Sequence, residues 1–195
     1  KTSNNKFEPF HKRISKEVFG QNKNLKTIND LLSCAKVGLN EEGKPLASLF
    51  FVGPTSVGKT YTAKQIAKHF YGNEKAFIQV NMGELQDETG IAKLIGANAG
   101  YVGYDQGGFL TNFVRNNPNS VVLFDEVEKS NPKVLNLLLH LLDEGYLTDN
   151  LNRDVDFSKS VVVLTSNIGH EESEKSAMGF ISQKIPKDES YKSSV

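Results

Sequence analysis

Apolar runs of four residues recur along the chain: LFFV at 49–52, VVLF at 121–124 and VVVL at 161–164, with FIQV at 77–80 as a fourth, interrupted run. Short runs of this kind predict strands buried in a sheet, the unbroken ones on both faces. Helical patterns lie between and before them. Leu25, Ile28, Leu32 and Ala35 recur at spacings of three and four. Ala63, Ile66, Ala67 and Phe70 share one helical face, and Gly72 is placed to end that helix. Residues 87–95 read as helical, as does the shorter stretch carrying Leu110, Phe113 and Val114, which Pro118 ends. Ser130-Asn131-Pro132 offers a capping side chain followed by a proline whose missing N–H costs nothing at a helix start. The leucine-dense helix it opens runs from about Lys133 to Glu144, with Gly145 closing it, and residues 146–157 read as a turn or hairpin. Strands alternating with helices predict an α/β fold, a parallel sheet sandwiched by helices.

The ends of the chain carry less pattern. Residues 1–17 form a polar, lysine-rich arm with Phe7, Phe10 and Ile14 as candidate anchors, residues 18–170 form the patterned domain, and residues 171–195 form a charged, serine-rich tail expected to be mobile. Residues 96–108 hold too many glycines for a helix and read as a loop, yet they carry Tyr101 and Tyr104, which a merely connecting loop has little reason to display. With 195 residues, 38% hydrophobic and 24% charged, the chain suits one domain with a sizeable core. A formal net charge of zero gives no sign of a nucleic-acid or anionic-membrane partner. Cys34, the single cysteine, cannot form an internal disulfide.

Candidate chemistry collects at the ends of the strands, where parallel sheets bind ligands. The run at 49–52 leads into Gly53-Pro54-Thr55-Ser56-Val57-Gly58-Lys59-Thr60, which fits G-x-x-x-x-G-K-[ST] at every fixed position. The glycines let successive backbone N–H groups turn inward around a phosphate, and the following helix aims its positive end at the same anion. Lys59 offers a point charge to the β and γ phosphates, and the Thr60 hydroxyl can ligate Mg²⁺. Asp125, at the end of the third strand, is the expected carboxylate for the Mg²⁺ shell, directly or through water. Glu126 points differently and could polarise an attacking water as general base. Asn167, after the fourth strand, offers an uncharged amide able to orient that water or to hydrogen-bond the γ phosphate. Strand, loop, helix and distant carboxylates in this order indicate metal-assisted hydrolysis of a nucleotide.

The glycine loop, VVLFDE, LTSN and GYVGY, together with LIGANAGYVGYDQGG, DEVEKSNP, LLDEGYLTD and NRDVDF, resemble the AAA+ ATPases of the Clp unfoldase family, specifically their second ATPase module, over about residues 19–169. The resemblance implies a P-loop large subdomain that hydrolyses ATP to ADP, in a machine, usually a six-membered ring of identical subunits, that threads unfolded or tagged polypeptides through its channel. It gives Tyr101 the substrate-gripping role and puts Val18 and Phe19 near the adenine. Ala177-Met178-Gly179-Phe180 resembles the loop by which some members dock onto a ClpP-type peptidase, with methionine where isoleucine, leucine or valine is usual. An exposed Met178–Phe180 anchor and a segment folded back on its own domain are both open readings. The family's trans-acting arginine, second sensor arginine and small helical subdomain fall outside these residues, so hydrolysis by this stretch alone should be weak. Arg115 and Arg153 match neither arginine and read as surface ion pairs. The strand that normally flanks the phosphate-loop strand is likewise expected to be missing, which would leave an edge uncovered.

Within this resemblance a protease-feeding unfoldase leads, with a stand-alone disaggregase beside it. A non-catalytic nucleotide-gated regulator is disfavoured because Glu126 and Asn167 are both present. A DNA-dependent AAA+ protein is disfavoured by the neutral charge and the tyrosine loop. The resemblance implies a bacterial cytoplasm or the interior of a bacterium-derived organelle.

Overall fold

A computed structural model describes residues 10–18, 21–54, 57–87, 89–101, 107–167 and 179–182. The expectations for Phe7, Phe19, Thr55, Ser56, Tyr104 and Met178 lie outside them. The elements run in the order α1 (Phe10–Ile14), α2 (Asn22–Lys36), β1 (Ala47–Val52), α3 (Lys59–Ile66), β2 (Phe77–Asn81), α4 (Gly90–Ile95), α5 (Phe109–Asn116), β3 (Val121–Asp125), α6 (Pro132–Glu144), β4 (Tyr146–Thr148), β5 (Asp154–Asp156), β6 (Val161–Ser166) and β7 (Gly179–Ser182). Five strands form one sheet in the order β2-β3-β6-β1-β7, and β4 with β5 forms a separate antiparallel hairpin.

The alternation of side chains along the strands divides the core into two layers. Val122, Phe124 and Val162 face one side, where they pack with Leu110 and Val114 of α5, Leu138 and Leu141 of α6, and Phe157. Val121, Leu123, Val161, Val163 and Phe51 face the other, against Leu25, Ile28 and Leu32 of α2 and Ala63 and Ile66 of α3. Residues 121–124 and 161–163 are fully buried, as their unbroken apolar runs predict. In the run 49–52 only Leu49 and Phe51 are buried, and Phe50 and Val52 on the other face of β1 are partly exposed. Burying one such side chain stabilises the fold by roughly 1.5–3 kcal/mol, so the central strands dominate stability. The four parallel strands β2, β3, β6 and β1 all present their carboxyl ends at one rim.

Several expectations are refined. The helix after the glycine loop stays α-helical only to Ile66 and then widens into a π turn, Ala67–Tyr71, before Gly72 ends it. The helix expected over 87–95 begins at Gly90, because Thr89 donates to the Asp87 carboxylate at 2.7 Å and this local bond competes with helical pairing. The arm yields a five-residue helix, α1, and Ile14 and Val18 are buried in the second core layer. The edge expected to be uncovered is not. β7 pairs antiparallel to β1, with Gly179 opposite Val52 and Phe180 opposite Phe51. An unpaired row of N–H and C=O groups takes a short apolar segment when the chain supplies one, and GFIS is such a segment in an otherwise polar tail.

Candidate nucleotide-binding site

β1 delivers the glycine loop, and Gly58 takes φ 92°, the left-handed geometry that lets the loop turn directly into α3. Lys59 then starts α3 with its side chain folded back over the loop. Its ammonium group donates to the Gly53 carbonyl at 2.5 Å, the Pro54 carbonyl at 3.1 Å and the Asn167 Oδ1 at 2.6 Å. An ammonium has three donors, and all three are used. Burial lowers the Lys59 pKa, against the raising influence of the nearby Asp125, Glu128 and Glu126 carboxylates.

β3 delivers Asp125, whose carboxylate is shared between three elements. Thr60 of α3 donates to its Oδ2 at 3.5 Å, Gln79 of β2 donates to the same oxygen at 2.9 Å, and Thr165 of β6 donates to Oδ1. Glu126 follows with φ 61° and ψ 56°, a left-handed conformation that a residue with a Cβ resists by about 1–2 kcal/mol. Three bonds hold it there. Its backbone N–H donates to the Thr165 hydroxyl at 3.0 Å, its Oε1 accepts from the Asn167 amide at 2.8 Å, and its Oε2 accepts from Lys129 at 2.7 Å. The hydrogen bond from Lys129 is the main cause that holds the Glu126 carboxyl below its ordinary pKa, so the group is ionised at neutral pH. Asn167 is fixed in turn by its own backbone N–H, which donates to Glu128 at 3.0 Å.

Gly58, Lys59, Thr60, Asp125, Glu126 and Asn167 therefore line one cleft of about 240 Å³ at the strand rim. The side-chain amide of Asn167 spans it, touching the cation with its oxygen and the general-base candidate with its nitrogen. Pro54 contributes its carbonyl. Val57 adjoins Gly58 at the start of α3. Val18 is buried among Ile14, Leu25 and Ile28 in the second core layer. Tyr101 stands away from the cleft, 72% exposed. Gly179 and Phe180 belong to the strand beside β1.

Sequence reasoning missed Thr165, Lys129, Glu128 and Gln79. A fully buried threonine ending an apolar strand was the available signal for Thr165, but its partner depends on register. β3 and β6 pair Phe124 with Leu164, which puts Asp125 beside Thr165. Arg115 and Arg153 do not form independent surface pairs. Both converge on Asp149, whose side chain is fully buried, at 3.1 and 2.7 Å.

The sequence matches the family model described as AAA domain (Cdc48 subfamily) over residues 44–194. It is 45% identical over 156 residues to the chaperone protein ClpB of Malacoplasma penetrans, covering 80% of this chain and 22% of that protein. It is 44% identical over 186 residues to the chloroplastic chaperone protein ClpC1 of Arabidopsis thaliana, covering 94% and 20%. The ATP-dependent Clp protease ATP-binding subunit ClpC of Staphylococcus epidermidis is 45% identical over 159 residues, covering 82% and 20%. The chain spans about a fifth of the length of the curated relatives it matches.

Proposed function

The chain belongs to the AAA domain family (Cdc48 subfamily), and from that premise we propose that it is the ATP-hydrolysing module of a Clp-type protein unfoldase. The observation that carries this reading is the convergence of Lys59, Thr60, Asp125, Glu126 and Asn167 in one cleft, although they come from three separate parts of the chain.

ATP binding would exchange the three carbonyl acceptors of Lys59 for phosphate oxygens with little further desolvation of the ammonium, which is already buried. The Thr60 hydroxyl and the Asp125 carboxylate are hard oxygen donors near one another, a set that suits Mg²⁺ completed by phosphate and water. When bound, Mg²⁺ would neutralise charge on the phosphates. Glu126, kept ionised by Lys129, would accept a hydrogen bond from the attacking water and polarise it. Asn167 would sense the exchange directly, because its oxygen loses a partner when Lys59 turns to phosphate.

The work of this hydrolysis, on this reading, is the threading of unfolded or tagged polypeptides through a ring, a hexamer of identical subunits, with Tyr101 as the gripping side chain. The exposure of Tyr101 supports that role. The similarity to bacterial and chloroplastic Clp proteins supports a bacterial cytoplasm or an organelle interior. Coupling to a ClpP-type peptidase through Met178, Gly179 and Phe180 is the leading partnership. A stand-alone disaggregase is supported by one observation: Gly179 and Phe180 pair with β1, whereas identity to ClpB and ClpC is equal at 45% and favours neither.

The test is Lys59→Ala in the full-length protein. Losing a buried, hydrogen-bonded cation should weaken ATP binding by about 2–5 kcal/mol, read by titration calorimetry. Unchanged affinity would remove the site assignment. Deleting residues 178–180 separates the partnerships: coupled proteolysis should fail with ATP turnover intact if they dock a peptidase.

A further inference from the structure

We infer that Asp149 and Asn150, at the end of β4, are the mount of the loop that carries Tyr101, holding its entry and the helix that follows its exit and joining both to the strand that serves the nucleotide cleft. The functional consequence rests on the reading of Tyr101 above; the mount itself does not.

At the loop's entry, the Asn150 backbone N–H donates to the Ile95 carbonyl at 3.0 Å, and its side-chain amide donates to the Ala97 carbonyl at 2.9 Å. Gly96 lies between these two contacts with φ 105°, and a Cβ there would fall 2.3 Å from the Asn150 Oδ1. Only glycine lets the loop pass this close. At the exit, Gly108 crosses back against the entry: a Cβ there would fall 2.0 Å from the Leu94 carbonyl oxygen. α5 then begins, and Arg115 on it donates to the Asp149 carboxylate at 3.1 Å and to Asn112 at 2.5 Å. Asp149 is itself immobilised. Its Oδ1 accepts from the backbone N–H groups of Leu151 and Arg153 at 2.9 and 3.0 Å, and its Oδ2 accepts from Arg153 Nε at 2.8 Å. Asn150 thus holds the entry directly, while Asp149 holds, through Arg115, the far end of the helix that follows the exit; Tyr101, between the two in sequence, is exposed.

The same turn is tied to the cleft. From β5 the chain passes the buried Phe157, whose N–H donates to the Gly145 carbonyl at 2.8 Å, and enters β6, which ends at Thr165 and Asn167. A shift of β6 that follows the exchange at Lys59 would be passed through the hairpin to Asn150, and from Asn150 to Ile95 and Ala97 at the loop's entry. Asn150 is therefore a positioning residue for substrate movement, acting through the loop and not on ATP.

The experiment uses the assembled full-length protein and Asn150→Ala, which removes the side-chain bond to Ala97 and leaves the backbone bond to Ile95. Amide exchange across residues 96–101 should quicken at least tenfold while residues 59–66 are unaffected. ATP turnover should stay within twofold of the parent, and ATP-driven unfolding of a fluorescent protein bearing an unstructured tail should fall at least fivefold. Unchanged exchange, or undiminished unfolding with faster exchange, overturns the proposal. A parallel Tyr101→Ala variant isolates the gripping role: if it unfolds substrate like the parent, that role fails, and the mount is then decided by exchange alone.

Discussion

Glu126 and Asp149 are both carboxylates at strand ends, and both sit below their ordinary pKa, yet they are built for opposite purposes. Asp149 has a fully buried side chain whose acceptors are filled by backbone amides and two arginines. Glu126 keeps a 27% exposed side chain, and its partners are two side chains, Lys129 and Asn167, with no backbone amide on its carboxylate among the described bonds. Burial alone would raise the Asp149 pKa; the Arg153 side chain and the amides of Arg153 and Leu151 overcome that and hold it low. The two turns also place residues in the left-handed region differently. The hairpin uses Asn152, φ 56°, a residue type that tolerates it, whereas the cleft uses Glu126, φ 61°, which does not. A charge saturated by fixed donors serves architecture. A strained charge with exchangeable donors is available for chemistry.

Substitution should separate the two roles. Glu126→Gln keeps the shape of the side chain and removes its charge, so ATP turnover should fall by about 10²–10⁴-fold, measured as phosphate release. Thermal unfolding should barely move, because an exposed pair with Lys129 contributes only about 0–1 kcal/mol. Turnover within tenfold of the parent would deny Glu126 its role. Asp149→Ala should do the reverse. It leaves buried amide donors unmatched, for a loss of about 1–3 kcal/mol in denaturant unfolding, while the ATP affinity of the folded protein stays unchanged. The arginines limit the loss, since at 36% and 45% exposed they can turn to water.

Which of these residues could be read from the sequence follows from how local their constraints are. The glycine loop, the acidic end of β3 and Asn167 were legible, because each motif is set by its own strand and turn. So was α2, whose four spaced apolar residues Leu25, Ile28, Leu32 and Ala35 are its buried ones. What failed depended on pairing across the chain. Thr165 meets Asp125 only through the register of β3 and β6, and the arginines read as surface pairs because nothing local marks Asp149 as buried. Residues 177–180 allow a segment folded back on its own domain, but the strand β7 it leads into is not legible, since four residues carry too little pattern to predict a strand without the edge they cover.

Acid should sharpen the comparison by a smaller amount. A carboxyl whose folded pKa is lowered adds stability that is present above its unfolded value, about 3.9 for Asp, and lost as pH falls through the folded one. Asp149 should therefore contribute nothing to pH dependence between neutrality and about pH 5, and its share of stability should fade below that. In Asp149→Asn this part of the acid limb should flatten. An acid unfolding curve of the variant parallel to that of the parent would mean the buried carboxylate is not the titrating group.

The smallest effect tests the strain itself. At an exposed helical site such as Leu139 in α6, glycine should be less stable than alanine by about 1 kcal/mol, through backbone entropy. At Glu126 the order should invert. Glu126→Ala and Glu126→Gly lose the same bonds to Lys129 and Asn167, but alanine keeps a Cβ in the left-handed region and glycine does not. The relief of about 1–2 kcal/mol should outweigh the entropy penalty of about 0.5–1 kcal/mol. Glycine should then be the more stable of the pair by up to about 1.5 kcal/mol, resolved by paired denaturant titrations. If alanine is equal or better there, as at Leu139, the backbone at Glu126 stores no strain, and the contrast with Asn152 would rest on side-chain partners alone.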